Sequence, residues 1–194
     1  MVMEYLDGTT LRDLIASAAS LSLITKLDYV IQVCHALQYA HDVGVVHLDV
    51  KPGKIMVVEG GQRVKLLDSG IALVEPLVSR SVTEIAVGTL YYMSPQQMKA
   101  ERDLDGRADI FAAGVVLFEL LTGTVPWSGD SDYEVMIKII KDPFPPLSNY
   151  LRPYPPGLDR ILDRALAKDT DSRYGTADQM ATELAELQAP LKGA

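Results

Sequence analysis

His47-Leu48-Asp49-Val50-Lys51-Pro52-Gly53-Lys54 decides how this chain is read. Asp68-Ser69-Gly70 adds a second acidic turn, with glycine supplying backbone freedom. Taken alone, Asp49 and Asp68 could simply cap turns. Between them, Ile55-Met56-Val57-Val58 and Arg63-Val64-Lys65-Leu66-Leu67 read as strands, joined by a tight turn at Glu59-Gly60-Gly61-Gln62. Val45-Val46-His47 reads as a further short strand leading into the loop. A small β-hairpin is therefore expected to frame Asp49 and Lys51.

Outward from this centre the chain reads as helices. Leu27, Val30, Ile31, Cys34, Leu37 and His41 recur at intervals of three and four, one face of a helix ending near Gly44. Ala108 to Leu121 is apolar almost all round apart from Asp109 and Glu119, which describes a buried central helix ended by Gly123. Ser131 or Asp132 can cap a helix carrying Val135, Met136, Ile139 and Ile140. Prolines from Pro143 to Pro156 then interrupt regular structure. Leu158, Ile161, Leu162, Ala165 and Leu166 form one more stripe, and Thr176 caps a last helix with Met180, Leu184 and Leu187. From Leu73 to Thr89 the periodicity is poor, as in a mobile loop.

The 194 residues, 48% hydrophobic, suit one packed domain. A formal net charge of -8 disfavours a nucleic-acid grip through counterion release and attraction to anionic membrane. The single cysteine, Cys34, sits on the apolar stripe and reads as a small core residue. The start lacks a basic region followed by an apolar run, so no signal peptide is expected, and Ile110 to Phe118 is too short to span a bilayer. A cytoplasmic location is the expectation, without nucleic-acid or membrane partners.

In these residues the chain resembles the Ser/Thr protein kinase family, bacterial type. Val2-Met3-Glu4-Tyr5-Leu6 is similar to the hinge between kinase lobes, and Leu11-Arg12-Asp13-Leu14 to the helix after it. Residues 47–54 resemble the catalytic loop, and 68–96 an activation-type segment opening on the metal-binding turn. Gly88 to Pro95 resembles the substrate-binding loop, Asp109 to Gly114 the start of the buried central helix, and Arg173 the late arginine. Lys51, two residues after Asp49, points to Ser/Thr rather than Tyr kinases. The resemblance implies Mg-ATP and transfer of a phosphoryl group to a hydroxyl. Asp49 would accept the substrate proton, Lys51 would stabilise transferred charge, Thr89 would bond near both, and Asp68 would hold magnesium. Glu4 and Leu6 of the hinge-like residues 1–8, together with Met56, would meet the nucleotide. His47 would hold the loop through a backbone contact, and Asp109 would take donors from it.

Only 46 residues precede His47, and they hold neither a Gly-rich phosphate loop nor a strand lysine. The expected fold is therefore mainly α, one domain over 1–194: a kinase-like C-terminal lobe with a small β-hairpin and no N-terminal lobe. Lys54 stands where an asparagine would bind the second magnesium ion, and an ammonium has no acceptor to offer. Leu48 replaces the arginine that holds a phosphorylated segment, Ser69 the turn phenylalanine, and Gln96 the glutamate that would pair with Arg173. Mg-ATP binding by these residues alone is expected to be weak or absent. The alternatives are a pseudokinase-type module that binds protein or peptide, or forms a homodimer through the exposed hinge face, and an ester hydrolase using Ser69 or Ser131.

Overall fold

The computed structural model describes residues 6–67 and 88–193. β1 (Gly8–Thr10) runs into α1 (Leu11–Ala16), and α2 (Leu23–Asp42) follows. β2 (Ile55–Val58) and β3 (Arg63–Leu66) come next, then α3 (Pro95–Met98), α4 (Arg107–Thr122), α5 (Asp132–Lys141), α6 (Gly157–Ala165) and α7 (Ala177–Gln188).

Caps set most helix boundaries. Thr10, Ser22, Ser131 and Thr176 each accept a backbone N–H of the first turn, satisfying donors that a helix start leaves open. Gly123, at φ 80, ends α4 in the left-handed conformation, where its N–H reaches the Glu119 carbonyl. The apolar stripes become the core. α4 is buried along nearly its whole length and packs against α2, α6 and α7, while α2 lays Leu27, Val30, Cys34 and Leu37 inward. Burying each such leucine is worth roughly 1.5–3 kcal/mol, so these helices form the platform on which the loop rests. Cys34 is fully buried and its thiol is pushed up to about 12 by that burial, which leaves it unreactive.

Two expectations are corrected. A mainly α kinase-like C-terminal lobe with a small β-hairpin and no N-terminal lobe is not what the described residues build. They hold a three-stranded antiparallel sheet in the order β1-β2-β3, with Gly8 opposite Val58, Thr10 opposite Met56, and Met56 opposite Lys65. Gly8–Thr10, at the end of and just after the hinge-like stretch, thus supplies an outer strand. Gly8 allows it: a Cβ there would stand 2.4 Å from the Val57 carbonyl oxygen. Val45-Val46-His47 is not a strand either, because the His47 N–H goes to a side chain of α4 instead of a neighbouring strand.

Candidate functional site

The loop at 47–54 is hung from α4 by one carboxylate. Asp109 is completely buried in the first turn of α4. Its Oδ2 accepts the His47 N–H at 2.8 Å and its Oδ1 the Leu48 N–H at 2.7 Å. His41 Nε2 lies 2.8 Å from Oδ2. Leu48 is thereby held at φ 59, a left-handed conformation that a leucine adopts only under constraint. A second tether comes from the far side, where Gln97 Nε2 donates to the Leu48 carbonyl at 3.0 Å. Gln97 is itself fixed by a capping box with buried Ser94 at the start of α3.

His47 completes the frame. Its Nδ1 accepts the Asp49 N–H at 3.3 Å, so Nε2 carries the proton and donates to the Leu67 carbonyl at 3.0 Å. This ties the loop to the end of β3, just ahead of the second acidic turn, and His47 acts as a brace.

On this frame Asp49, Lys51 and Thr89 come together. Lys51 Nζ donates to Asp49 Oδ1 and to Thr89 Oγ1, both at 2.7 Å. The Asp49 and Lys51 side chains are only 12% and 13% exposed, so their attraction is poorly screened by water. Lys51 leaves the second carboxylate oxygen, Oδ2, without a hydrogen bond among the described residues. The triangle can hold a hydroxyl at Oδ2 and place a cation beside it.

The other predicted ligands fare differently. Met56 is part-buried on β2, and Leu6 is part-buried just ahead of β1. Glu4, Asp68, Ser69 and Gly70 lie outside the described residues. Among the described residues no three His, Cys, Asp or Glu side chains group to hold a metal ion. Lys54 closes the short helical turn Pro52–Lys54 at the end of the loop. Ser131 caps α5, its Oγ accepting the Glu134 N–H at 3.2 Å.

Gln96 and Arg173 meet as a neutral version of an ion pair. Arg173 donates to Gln96 Oε1 at 2.6 Å and to the carbonyls of Ala167, Arg107 and Lys168, while Gln96 Nε2 also donates to the Lys168 carbonyl. Burial, with Arg107 nearby, draws Arg173 down to about 10. Lys168 donates to the Ile139 carbonyl and stands 3.7 Å above the Trp127 ring. Burial draws it down to about 7, with Asp142 opposing and Arg173 adding to the shift.

Sequence reasoning missed some of these residues. His41 continues an otherwise apolar stripe, and an imidazole there signals a polar partner inside the fold. Tyr92, which donates to Glu119 at 2.7 Å, had as its only signal the glutamate interrupting an apolar helix.

Comparison with known proteins gives the family. The family model described as protein kinase domain matches residues 1–185. Serine/threonine-protein kinase PknB of Mycolicibacterium smegmatis is 38% identical over 196 residues, covering 98% of this chain and 31% of the relative. PknB of Mycobacterium tuberculosis is 36% identical over 190 residues, 96% of this chain and 30% of the relative. A probable serine/threonine-protein kinase PknB of Bifidobacterium longum is 38% identical over 186 residues, with 95% and 27% covered. The chain thus spans about a third of the length of these relatives. Because the family match begins at residue 1, the description as a C-terminal lobe alone is withdrawn in favour of a protein kinase domain match. Among the described residues no helix is long and apolar enough to cross a membrane. Match and motifs together lead to one conclusion: the chain belongs to the protein kinase family, in its bacterial-type Ser/Thr branch.

Proposed function

We propose that this chain is a phosphoryl-transfer platform, acting with Mg-ATP on Ser or Thr hydroxyls of protein substrates, and that these 194 residues alone do so weakly or not at all. The supporting observation is the Asp49–Lys51–Thr89 triangle on its Asp109-anchored loop. Phosphoryl transfer asks mainly for positioning and charge stabilisation. Asp49 orients the hydroxyl and takes its proton as the oxygen bonds to the γ-phosphorus of ATP and the bond to the bridging oxygen breaks, releasing ADP. Lys51 offsets charge on the transferred group, and Thr89 keeps the ammonium in place. Weakness follows from Lys54 and from the lack of a Gly-rich phosphate loop in these residues.

Calorimetry with ATP, with and without Mg²⁺, tests the platform. Saturable Mg-dependent binding that Asp68→Ala removes supports a nucleotide platform in these residues; no detectable binding turns the reading to a protein-binding module. Strong labelling of a basic protein by radiolabelled ATP, lost in Asp49→Asn, would refute the expectation of weakness.

A second reading, a protein-binding or self-associating module, draws on β1. Among the described residues this strand pairs on one side only, with β2, and Gly8 and Thr9 are exposed. A light-scattering mass that stays monomeric at every concentration would exclude self-association.

A further inference from the structure

We propose that Lys168 is a positioning residue for the catalytic-type loop, clamping the end of α5 onto the α3 segment whose Gln97 tethers Leu48. The inference rests on the phosphoryl-transfer reading for the use of that loop, and it is measured without nucleotide so that either can fail alone. Lys168 is part-buried in the turn after α6, and its two ends bond in different directions. Nζ donates to the Ile139 carbonyl of α5 at 2.6 Å. The main-chain carbonyl accepts Gln96 Nε2 at 2.9 Å and Arg173 Nη2 at 3.2 Å. Gln96 adjoins Gln97 in α3, and Gln97 Nε2 reaches the Leu48 carbonyl. α5 also packs against α3 and against the turn Leu90–Tyr92, which follows Thr89. One residue thus joins α5 to the elements that hold Leu48 and Thr89 beside Asp49 and Lys51.

Its surroundings make the clamp sensitive to its own proton. From α4 and the segment after it the rings of Phe111 and Trp127 face the amine, Trp127 at 3.7 Å, and from α3 the neutral Gln96 lies alongside. Asp142, exposed just after α5, attracts the ammonium, and Arg173 repels it. The other nearby charges are engaged or solvated. Lys138 pairs with Glu134 at 2.6 Å, Lys141 is exposed, Arg164 of α6 lies over the Tyr174 ring, and Asp169 accepts the Ser172 hydroxyl. Burial outweighs the Asp142 attraction and draws the amine down to about 7. A neutral amine keeps a proton for the Ile139 carbonyl without the desolvation cost of an ammonium. Between about 7 and 10.5 a solvated side chain binds the proton that the seated one has released, so the clamp weakens as pH falls through this window.

Trp127 is the only tryptophan, so its emission reports the amine above it. The test follows Trp127 emission, together with the Leu48 backbone amide and the Gln97 side-chain amide by NMR of nitrogen-15-labelled protein, from about pH 6 to 9. It compares the unaltered chain with Lys168→Met and Lys168→Arg. In the unaltered chain, emission and both amides should share a titration with a midpoint about 7. Lys168→Met retains His41 and His47, so whatever part of the titration it removes belongs to Lys168; it should flatten the emission and remove most of the Gln97 shift. Lys168→Arg, which keeps a donor but no titrating proton, should also flatten the emission while returning the two amides towards their positions in the unaltered chain. The unaltered chain alone already decides the first point: emission without a midpoint about 7 overturns the clamp. Amides that titrate identically in the unaltered and Lys168→Met chains overturn it too, as does a Lys168→Arg chain whose amides match those of Lys168→Met. ATP calorimetry on the same preparations separates the two readings. ATP binding without a Lys168-dependent loop titration overturns the clamp alone; that titration without ATP binding supports the clamp and turns the reading of the platform to a protein-binding module.

Discussion

Asp109 and Arg173 are both charged side chains almost withdrawn from water, at 0% and 3% exposure, and both serve the start of α4, yet they are satisfied in opposite ways. Asp109 sits within α4 and gathers two backbone N–H groups and an imidazole around its two oxygens. Arg173 reaches α4 from outside, and its acceptors are three carbonyls and one amide oxygen, all neutral. A second basic side chain, Lys168, lies beside it and is part-buried. Hydrogen bonds can seat a buried charge without a directly paired counter-ion, but a cation seated on neutral acceptors, with Asp105, Asp169 and Glu101 acting only from a distance and other cations nearby, remains under strain from desolvation. The first region holds the catalytic-type loop; the second holds the end of α3, whose Gln97 tethers the same loop.

The comparison can be broken most sharply at Asp109. Replacing it by Ala leaves three donors and the left-handed Leu48 unsupported, and should cost roughly 3–5 kcal/mol in urea unfolding, the range for stripping one partner from a buried charged site. A loss below about 1 kcal/mol would mean that Gln97 alone holds the loop.

The second region should show its strain in pH dependence. Lys168 is lowered in the folded chain to about 7 from 10.5. Between these values the unfolded chain binds the additional proton, so stability rises as pH climbs from about 7 towards 10.5. Urea midpoints in that window should rise for the unaltered chain and rise less for Lys168→Met; parallel curves would remove Lys168 as the cause.

Gln96→Glu sharpens the contrast by giving Arg173 the counter-ion it lacks. A carboxylate at this 2.6 Å contact should stabilise the chain at neutral pH by about 1 kcal/mol and lift the Lys168 titration, which NMR of its ammonium region or amine labelling can follow. An unchanged titration would show that Gln96 and Lys168 are not electrostatically coupled.

The smallest effect is expected at the surface. Glu59 and Arg63 form an ion pair at 3.0 Å with side chains 54% and 62% exposed, so Glu59→Ala should change stability by less than about 0.5 kcal/mol. A larger loss would mean that the turn between β2 and β3 depends on this pair.

The sequence by itself determined the helices and the loop residues. Stripes such as Leu27 to Leu37 and the apolar run of α4 carry their burial in their spacing, because a helix repeats every 3.6 residues whatever surrounds it. Asp49, Lys51 and Thr89 were legible as a group through motif order. Ser131 and Thr176 were legible as caps because the bond they make lies within three residues.

What tertiary structure alone decided are the contacts between residues far apart in the chain. His41 on Asp109, Gln97 on Leu48, Arg12 on Gly53 and Lys168 over Trp127 join positions whose separation no periodicity encodes. β1 was hidden for the same reason: three residues, Gly8–Thr10, carry too little pattern to predict a strand, and only the open edge of β2 makes them one. Local spacing specifies which face of an element is apolar, while the partner of a buried polar group is chosen by the packing of whole elements.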